Sequence, residues 1–245
     1  MKNYAVIQHN YSEFLGLIEG QLEKRDIGFS YVRPFVGQDM PGSAIQFDAL
    51  FLLGASWPVG DSEHMPWLAD ELRLIASFEK AKRPVVGLGF GALLLAQYAG
   101  GQPSDQPFHN AYWTTAHIAP GAEQDPIAQA VAGRKVLVMA NGSVALPEGV
   151  LPLLVDDQGR WIAIRPSEHL VGLLFRPELK PGMIEDMIME AGRKTPDNIA
   201  DLLQTAREQW QDSQHTTDRL IVALVSVLDL MKERRKPPVF HLKQE

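Results

Sequence analysis

The sequence contains no cysteine among its 245 residues. That absence removes disulfides, thiolate metal ligation and, of most consequence, any thiol nucleophile. Positive charge is also in short supply. Lys and Arg number 23 against 30 Asp and Glu, a formal net charge of −7, and the one basic block is the short tail from Lys232 to Lys236. Nucleic acid and anionic membrane are therefore not expected as partners. No apolar run approaches the ~20 residues of a transmembrane helix, and Met1-Lys2-Asn3 leads into a strand rather than a leader, so a soluble, cytoplasmic protein is expected. No metal ligand set stands out and no cofactor is expected. What is present is 45% hydrophobic residues over a length that can bury a full core, which suits one large α/β domain.

The chain is organised around Pro84-Val85-Val86-Gly87-Leu88-Gly89-Phe90-Gly91-Ala92-Leu93-Leu94-Leu95-Ala96. A short β-rich apolar run turns on three glycines at alternate positions and continues in helix formers, which reads as strand, tight turn and helix. A dinucleotide loop G-x-G-x-x-G/A is formally met by Gly87, Gly89 and Ala92. That loop belongs on the first strand of its unit with an acidic residue about 20 positions on, ending a second strand. Here it lies well inside the chain, and Asp105 falls in a stretch, 102–107, that reads as a loop. The context fits a nucleophile elbow better, although its apex, Gly89, carries no side chain.

Around this centre, strands are expected at 4–9, 29–32, 48–53 and 84–88, with helices over 13–24, after the turn and cap residues Asn10-Tyr11-Ser12, and over 66–82. Leu68, Leu72, Ile75 and Phe78 give the second helix its buried stripe. This β-α-β opening predicts a parallel sheet with helices on both faces, and His9 sits at a strand end, the ligand edge of such sheets. A lone His is more often structural. Later strands are expected at 111–118, 135–139 (ended by Ala140-Asn141-Gly142-Ser143), 150–156 and 161–165, as an antiparallel extension. Helices follow at 181–189, 197–210 and 217–234, the last with an apolar stripe and with Lys232, Arg234 and Arg235 at its negative end.

Three motifs in order resemble the class I glutamine amidotransferases. The central stretch is similar to Pro-Val-x-Gly-Ile-Cys-x-Gly followed by Ala/His-Gln-Leu-Leu-Ala, with Gly89 at the Cys position and Leu93 at the Gln position. Gly54-Ala55 is similar to the Gly-Gly of the family's oxyanion loop, and Pro66-Trp67-Leu68-Ala69-Asp70-Glu71 to the Pro-Trp-Leu-x-x-Glu of its stand-alone members. Phe175-Arg176-Pro177-Glu178 resembles the Phe-His-Pro-Glu segment, with Arg176 at the His position. The resemblance implies a flavodoxin-like, doubly wound, mostly parallel sheet with a small antiparallel extension and C-terminal helices. It divides the chain into an amidotransferase-like domain, 1–190, and a helical extension, 191–245.

The resemblance also implies a site. Gly89, Arg176 and Glu178 stand at the catalytic triad positions, with only Glu178 retained. Ala55 and Phe90 stand where backbone N–H groups form the oxyanion hole. Gly54, Leu93, Ala140, Asn141 and Gly142 stand at substrate-pocket positions, the last three where the family has His-Gly-Asp or His-Ser-Asp. Ser56, Ser143 and Ser167 are the nearby hydroxyls, none at the apex, and His169 is expected at the far end of its strand. The family uses a thiolate to attack the glutamine amide and a His as acid and base. Changes in four places therefore imply a scaffold kept without glutaminase chemistry, serving as a binding or regulatory subunit, with a synthetase or acceptor subunit, or a second copy of itself, as partner. The alternatives are an active transferase or hydrolase with a rearranged site, and a small-anion sensor. For the last, Arg176 beside the helix N-terminus would hold a carboxylate or phosphate; otherwise it pairs with Glu178 or another acid.

Overall fold

A computed structural model describes residues 2–190 and 192–234. Its centre is an eight-stranded sheet. Strand β1 (Lys2–Ile7) lies between β2 (Ile27–Val32) and β3 (Ala49–Leu52), and β3 pairs with β4 (Val85–Leu88), all in parallel. Helix α1 (Leu17–Glu23) connects β1 to β2, and α2 (Leu68–Lys80) connects β3 to β4. Strands β3 and β4 are buried at every position, as befits central strands covered on both faces. Phe51 is fully enclosed, which alone stabilises the fold by about 1.5–3 kcal/mol.

Helix α3 (Phe90–Tyr98) follows β4 directly, and the sheet continues through β10 (Leu170–Leu173), which is parallel to β4. The remaining strands, β9 (Trp161–Ser167), β8 (Pro152–Val155) and β6 (His117–Ile118), add on antiparallel. The full order is β2-β1-β3-β4-β10-β9-β8-β6, whose first five strands form the 2-1-3-4-5 doubly wound arrangement. The architecture is thus a flavodoxin-like, mostly parallel α/β sheet with an antiparallel extension.

Several sequence expectations are corrected. The stretch 102–107 is not a loop: β5 spans Gln102–Thr115 and pairs with β7 (Lys135–Ala145) in a separate two-stranded sheet. Ala140, Asn141, Gly142 and Ser143 therefore lie within a strand instead of ending one, because β5 supplies their backbone partners. The strand read at 111–118 breaks at Ala116, and its last residues, in β6, join the main sheet. Helix α1 does not start at residue 13. Residues 12–16 are largely buried, and the helix begins at Gly16 (φ 52°, ψ −110°), where the Leu17 N–H donates to the Glu178 carbonyl at 2.9 Å. Periodicity gives no sign of α4 (Pro126–Val131), yet Asp125 caps it through the Ile127 and Ala128 N–H groups and Pro126 opens it. That Asp-Pro pair is a legible start signal.

At the C-terminal side lie α5 (Pro181–Met189), α6 (Ile199–Glu208) and α7 (Trp210–Val227). Helix α7 starts earlier and ends earlier than the pattern predicts; Lys232 and Arg234 lie beyond it, and Arg235 and Lys236 fall outside the described residues. Leu220, Ile221 and Leu224 enter the main core with β1, and the Tyr4 hydroxyl donates to the Leu230 carbonyl at 2.7 Å. Among the described residues, no helix is long and apolar enough to cross a membrane.

Candidate functional site

The loops leaving β1, β3, β4 and β10 converge at the carboxyl edge of the parallel strands. The centre is the turn between β4 and α3, where Gly89 adopts φ 55° and ψ −110°. Its N–H donates to the Leu173 carbonyl of β10 at 2.8 Å, and the Gly91 N–H to the Leu53 carbonyl at 3.2 Å. A Cβ on Gly87 would collide with the Gly91 carbonyl, and one on Gly91 with that of Leu52, so the flanking glycines are required by close backbone approach. This is the strained strand-to-helix turn that presents a nucleophile in other proteins.

Here the presented space is already filled. A Cβ on Gly89 would stand 2.8 Å from Arg176 Cδ and 3.1 Å from the Met139 carbonyl oxygen. Arg176 reaches this place because its backbone N–H donates to the Leu137 carbonyl at 2.8 Å, which ties the end of β10 to β7. Each nitrogen of its guanidinium has a partner. Nε donates to Glu178 Oε1 at 2.5 Å, Nη1 to the Met139 carbonyl at 3.2 Å, and Nη2 to Glu13 Oε2. All three side chains are essentially withdrawn from solvent. The pairing alternative for Arg176 is the one found, so an incoming carboxylate or phosphate would have to displace two buried carboxylates.

Glu13 is shared with a second guanidinium, Arg193 Nη2, at 2.9 Å, while Arg193 Nη1 donates to Ser12 Oγ at 2.8 Å. Burial alone would raise the Glu13 carboxyl, but Arg176 and Arg193 outweigh it and hold the group below its ordinary value. Glu178 goes the other way. Burial, reinforced by the nearby Glu13 charge, pushes it up against the opposing pull of Arg176, and its Oε2 has no partner among the described residues. Glu178, expected at the position of the triad acid, is thus a buried counter-ion of Arg176.

The residues expected to line an oxyanion hole are placed as follows. Gly54 is faced by the Glu13 carboxylate, whose atoms would lie 2.6 Å from an added Cβ. Ala55 does not hold the positive φ that a glycine there would allow. Phe90 opens α3 and packs edge-on to the His9 ring, with centroids 4.8 Å apart.

The substrate-pocket positions do not share one cavity. Ala140 and Asn141 line a crevice of only 10 Å³ with Ala55, His109 and Met139, closed over by Arg193, Lys194 and Pro196. That volume is at the limit for a single water. Asn141 is engaged within the protein, Nδ2 donating to the Ser56 carbonyl at 2.6 Å and Oδ1 meeting His109 Nδ1 at 2.9 Å. Lys194 Nζ lies 5.5 Å from the Trp57 ring centre and 5.1 Å from that of Phe108, a cation held between two aromatic faces. Gly142 (φ 71°) is wedged against Pro58 and the Ser104 carbonyl. Leu93 faces a separate hollow on the other side of β7.

Of the hydroxyls, Ser56 Oγ accepts from Asn10 Nδ2, Ser143 Oγ donates to the Gln106 carbonyl, and Ser167 Oγ is buried without a partner among the described residues. None pairs with an imidazole or carboxylate among the described residues. His169 lies at the far end of β10 from the elbow, its carbonyl accepting the Val85 N–H.

Sequence reasoning missed Glu13, Glu71 and Arg193. Glu13 reads as one polar position of an amphipathic helix, and Arg193 lies in a polar linker. Glu71, although visible in the Pro-Trp-Leu-x-x-Glu motif, is buried on the α2 stripe where the pattern places Leu72. It bonds His9 Nε2 at 2.9 Å, while His9 Nδ1 meets the Gly54 carbonyl at 3.0 Å. A carbonyl can only accept, so Nδ1 carries a proton. Burial would lower the His9 pKa, but Glu71, the Gly54 carbonyl and Glu13 outweigh it and raise it above 6.5. A raised His value means stability fully present below 6.5 and lost as pH rises through the folded value. Unfolding free energy should therefore fall as pH rises from 6.5, and His9→Gln should flatten that fall. Urea unfolding from this pH upward measures both slopes; equal slopes would dismiss a charged His9.

No family model and no curated protein matches the sequence. Solved structures do match in fold. A glutamine amidotransferase from Thermotoga maritima has a TM-score of 0.77 at 19% identity, with 93% of this chain and 98% of that chain covered. A glutamine amidotransferase from Methylobacillus flagellatus has a TM-score of 0.74 at 19% identity, with 99% of this chain and 100% of that chain covered. A candidate GMP synthase subunit from Thermoplasma acidophilum has a TM-score of 0.56 at 15% identity, over 86% of this chain and 98% of that chain.

Proposed function

Starting from the glutamine amidotransferase fold, we propose that this chain keeps the scaffold without glutaminase chemistry and works as a binding or regulatory subunit. The observation that carries the reading is the Arg176 guanidinium. It fills the space in front of Gly89 and is bonded to Glu13, Glu178 and the Met139 carbonyl. Arginine stays protonated in proteins and cannot accept a proton at neutral pH. Loss of a nucleophile alone typically costs on the order of 10⁶ in rate.

In this reading residues 1–190 form the amidotransferase-like domain, and 191–245 an extension whose first residues, Arg193 to Pro196, close the old substrate crevice. The likeness to a candidate GMP synthase subunit supports, as the class of partner, a synthetase or acceptor protein. A cytoplasmic location accords with the acidic, cysteine-free composition.

The test is glutamine turnover by the unmodified protein. Incubated with saturating glutamine, it should release no ammonia above a protein-free blank. Saturable, glutamine-dependent ammonia release would establish the rival reading, an active hydrolase with a rearranged site.

A further inference from the structure

The hollow that Leu93 faces has a volume of 460 Å³ and lies between β7 and the strands β8 and β9. It is within the size range of small-molecule sites. Its wall is apolar, formed by Leu93, Val144, Leu146, Pro152, Trp161 and Leu174. The polar groups around it are mostly spent inside the protein. Trp161 Nε1 donates to the Val144 carbonyl at 2.9 Å, Asn110 Nδ2 to the Gly142 carbonyl at 2.5 Å, and Ser143 Oγ to the Gln106 carbonyl at 2.8 Å.

Arg160, which borders the hollow, is different. Its Nε donates to Asp156 Oδ2 at 2.7 Å, and its guanidinium carbon lies 4.4 Å from the centre of the Tyr112 ring. Asp156 is buried and saturated: Oδ1 accepts the Gln158 and Arg160 N–H groups at 2.9 and 2.8 Å, and Oδ2 also accepts the Tyr112 hydroxyl at 2.9 Å. These contacts fix the plane and position of the guanidinium. Both terminal Nη groups remain without a protein partner among the described residues, and the side chain is 46% exposed. A fixed guanidinium with two free N–H₂ groups is a fork for a carboxylate or phosphate oxygen pair.

We propose that this hollow binds a small organic anion with an apolar body, the body lying against Trp161, Leu146 and Leu174 and the acid group on Arg160. Only Leu93 is common to this site and the former substrate positions, so the proposal stands whether or not glutaminase chemistry has been lost.

The probes are 4-phenylbutyrate, its neutral amide, and acetate, each titrated into the full chain by calorimetry at fixed ionic strength. The acid should bind saturably, with the amide and acetate at least about tenfold weaker, and Arg160→Gln should weaken the acid by a similar factor. Equal binding of acid and amide, equal binding by the variant, or no binding of the acid would each overturn the proposal. If Arg160→Gln does not fold, the comparison of acid with amide on the unaltered protein decides alone.

Discussion

Replacing Arg176 by Met should cost about 3–5 kcal/mol of folding stability at neutral pH, the usual penalty for removing one partner of a buried ion cluster. The guanidinium is the only direct partner of Glu178 among the described side chains and one of two for Glu13, and both carboxyls are enclosed. The loss should depend on pH in a defined direction. In the unaltered protein Glu13 is held below 4.5, so its contribution is present above that value and fades as pH falls through the folded value. Glu178 is raised, so its ionisation already opposes folding as pH rises above 4.5. Without Arg176 both groups shift upward. The penalty should therefore be largest at neutral pH and clearly smaller near pH ~4, where both carboxyls can be protonated at little cost. Adding Glu178→Gln to the Met variant should recover part of the loss, because it removes the less compensated carboxyl. Urea unfolding at the two pH values reads these differences. A Met variant within about 0.5 kcal/mol of the parent at neutral pH would mean that the cluster contributes nothing to the fold.

The second expectation is that Gly89→Cys with Arg176→His, which places Cys and His where the resemblance expects a nucleophile and its base, still gives no ammonia from glutamine. The His change removes the 2.8 Å clash with Arg176 Cδ, but two obstacles stay. Glu13 still faces Gly54, and Arg193 and Lys194 still close a crevice of 10 Å³, far below the several hundred Å³ of a small-molecule site. Because the parent has no cysteine, the side chain introduced at the elbow would be the variant's only thiol and reports directly on access. Reaction of that thiol with a colorimetric disulfide reagent should be on the order of a hundredfold slower in the folded protein than in urea, as for a reaction gated by local opening. Arg193→Ala should speed it by releasing the strap from Glu13. Immediate thiol reaction in the folded double variant, or turnover of glutamine by it, would defeat the occlusion argument.

The elbow and the strands beside it were readable because they rest on local physics. Glycine at alternate positions between an apolar strand and a run of helix formers has few other uses, and β3, β4 and β10 each announce themselves as apolar runs. The failures were local to segments whose conformation is set from elsewhere. Asn141 reads as part of a turn, but β5 pairs with it and His109 engages its side chain. Ser12 and Glu13 read as the start of a helix, but Ser12 bonds Glu190 and Arg193, and Glu13 bonds Arg176 and Arg193, which keep the segment non-helical and enclosed.

By itself the sequence determined that no thiol chemistry is available and that residues 84–96 form a strand, elbow and helix, and it put Gly89 and Arg176 where the resemblance expects a nucleophile and its base. Only the tertiary structure decided what Arg176 does there. Its partner Glu13 is 163 residues away, and the strap residue Arg193 is 180 from Glu13. Side-chain periodicity reports which face of one element is apolar. It carries no information about which loops a parallel sheet gathers at its carboxyl edge, where burial in low dielectric makes charges choose partners by proximity in space.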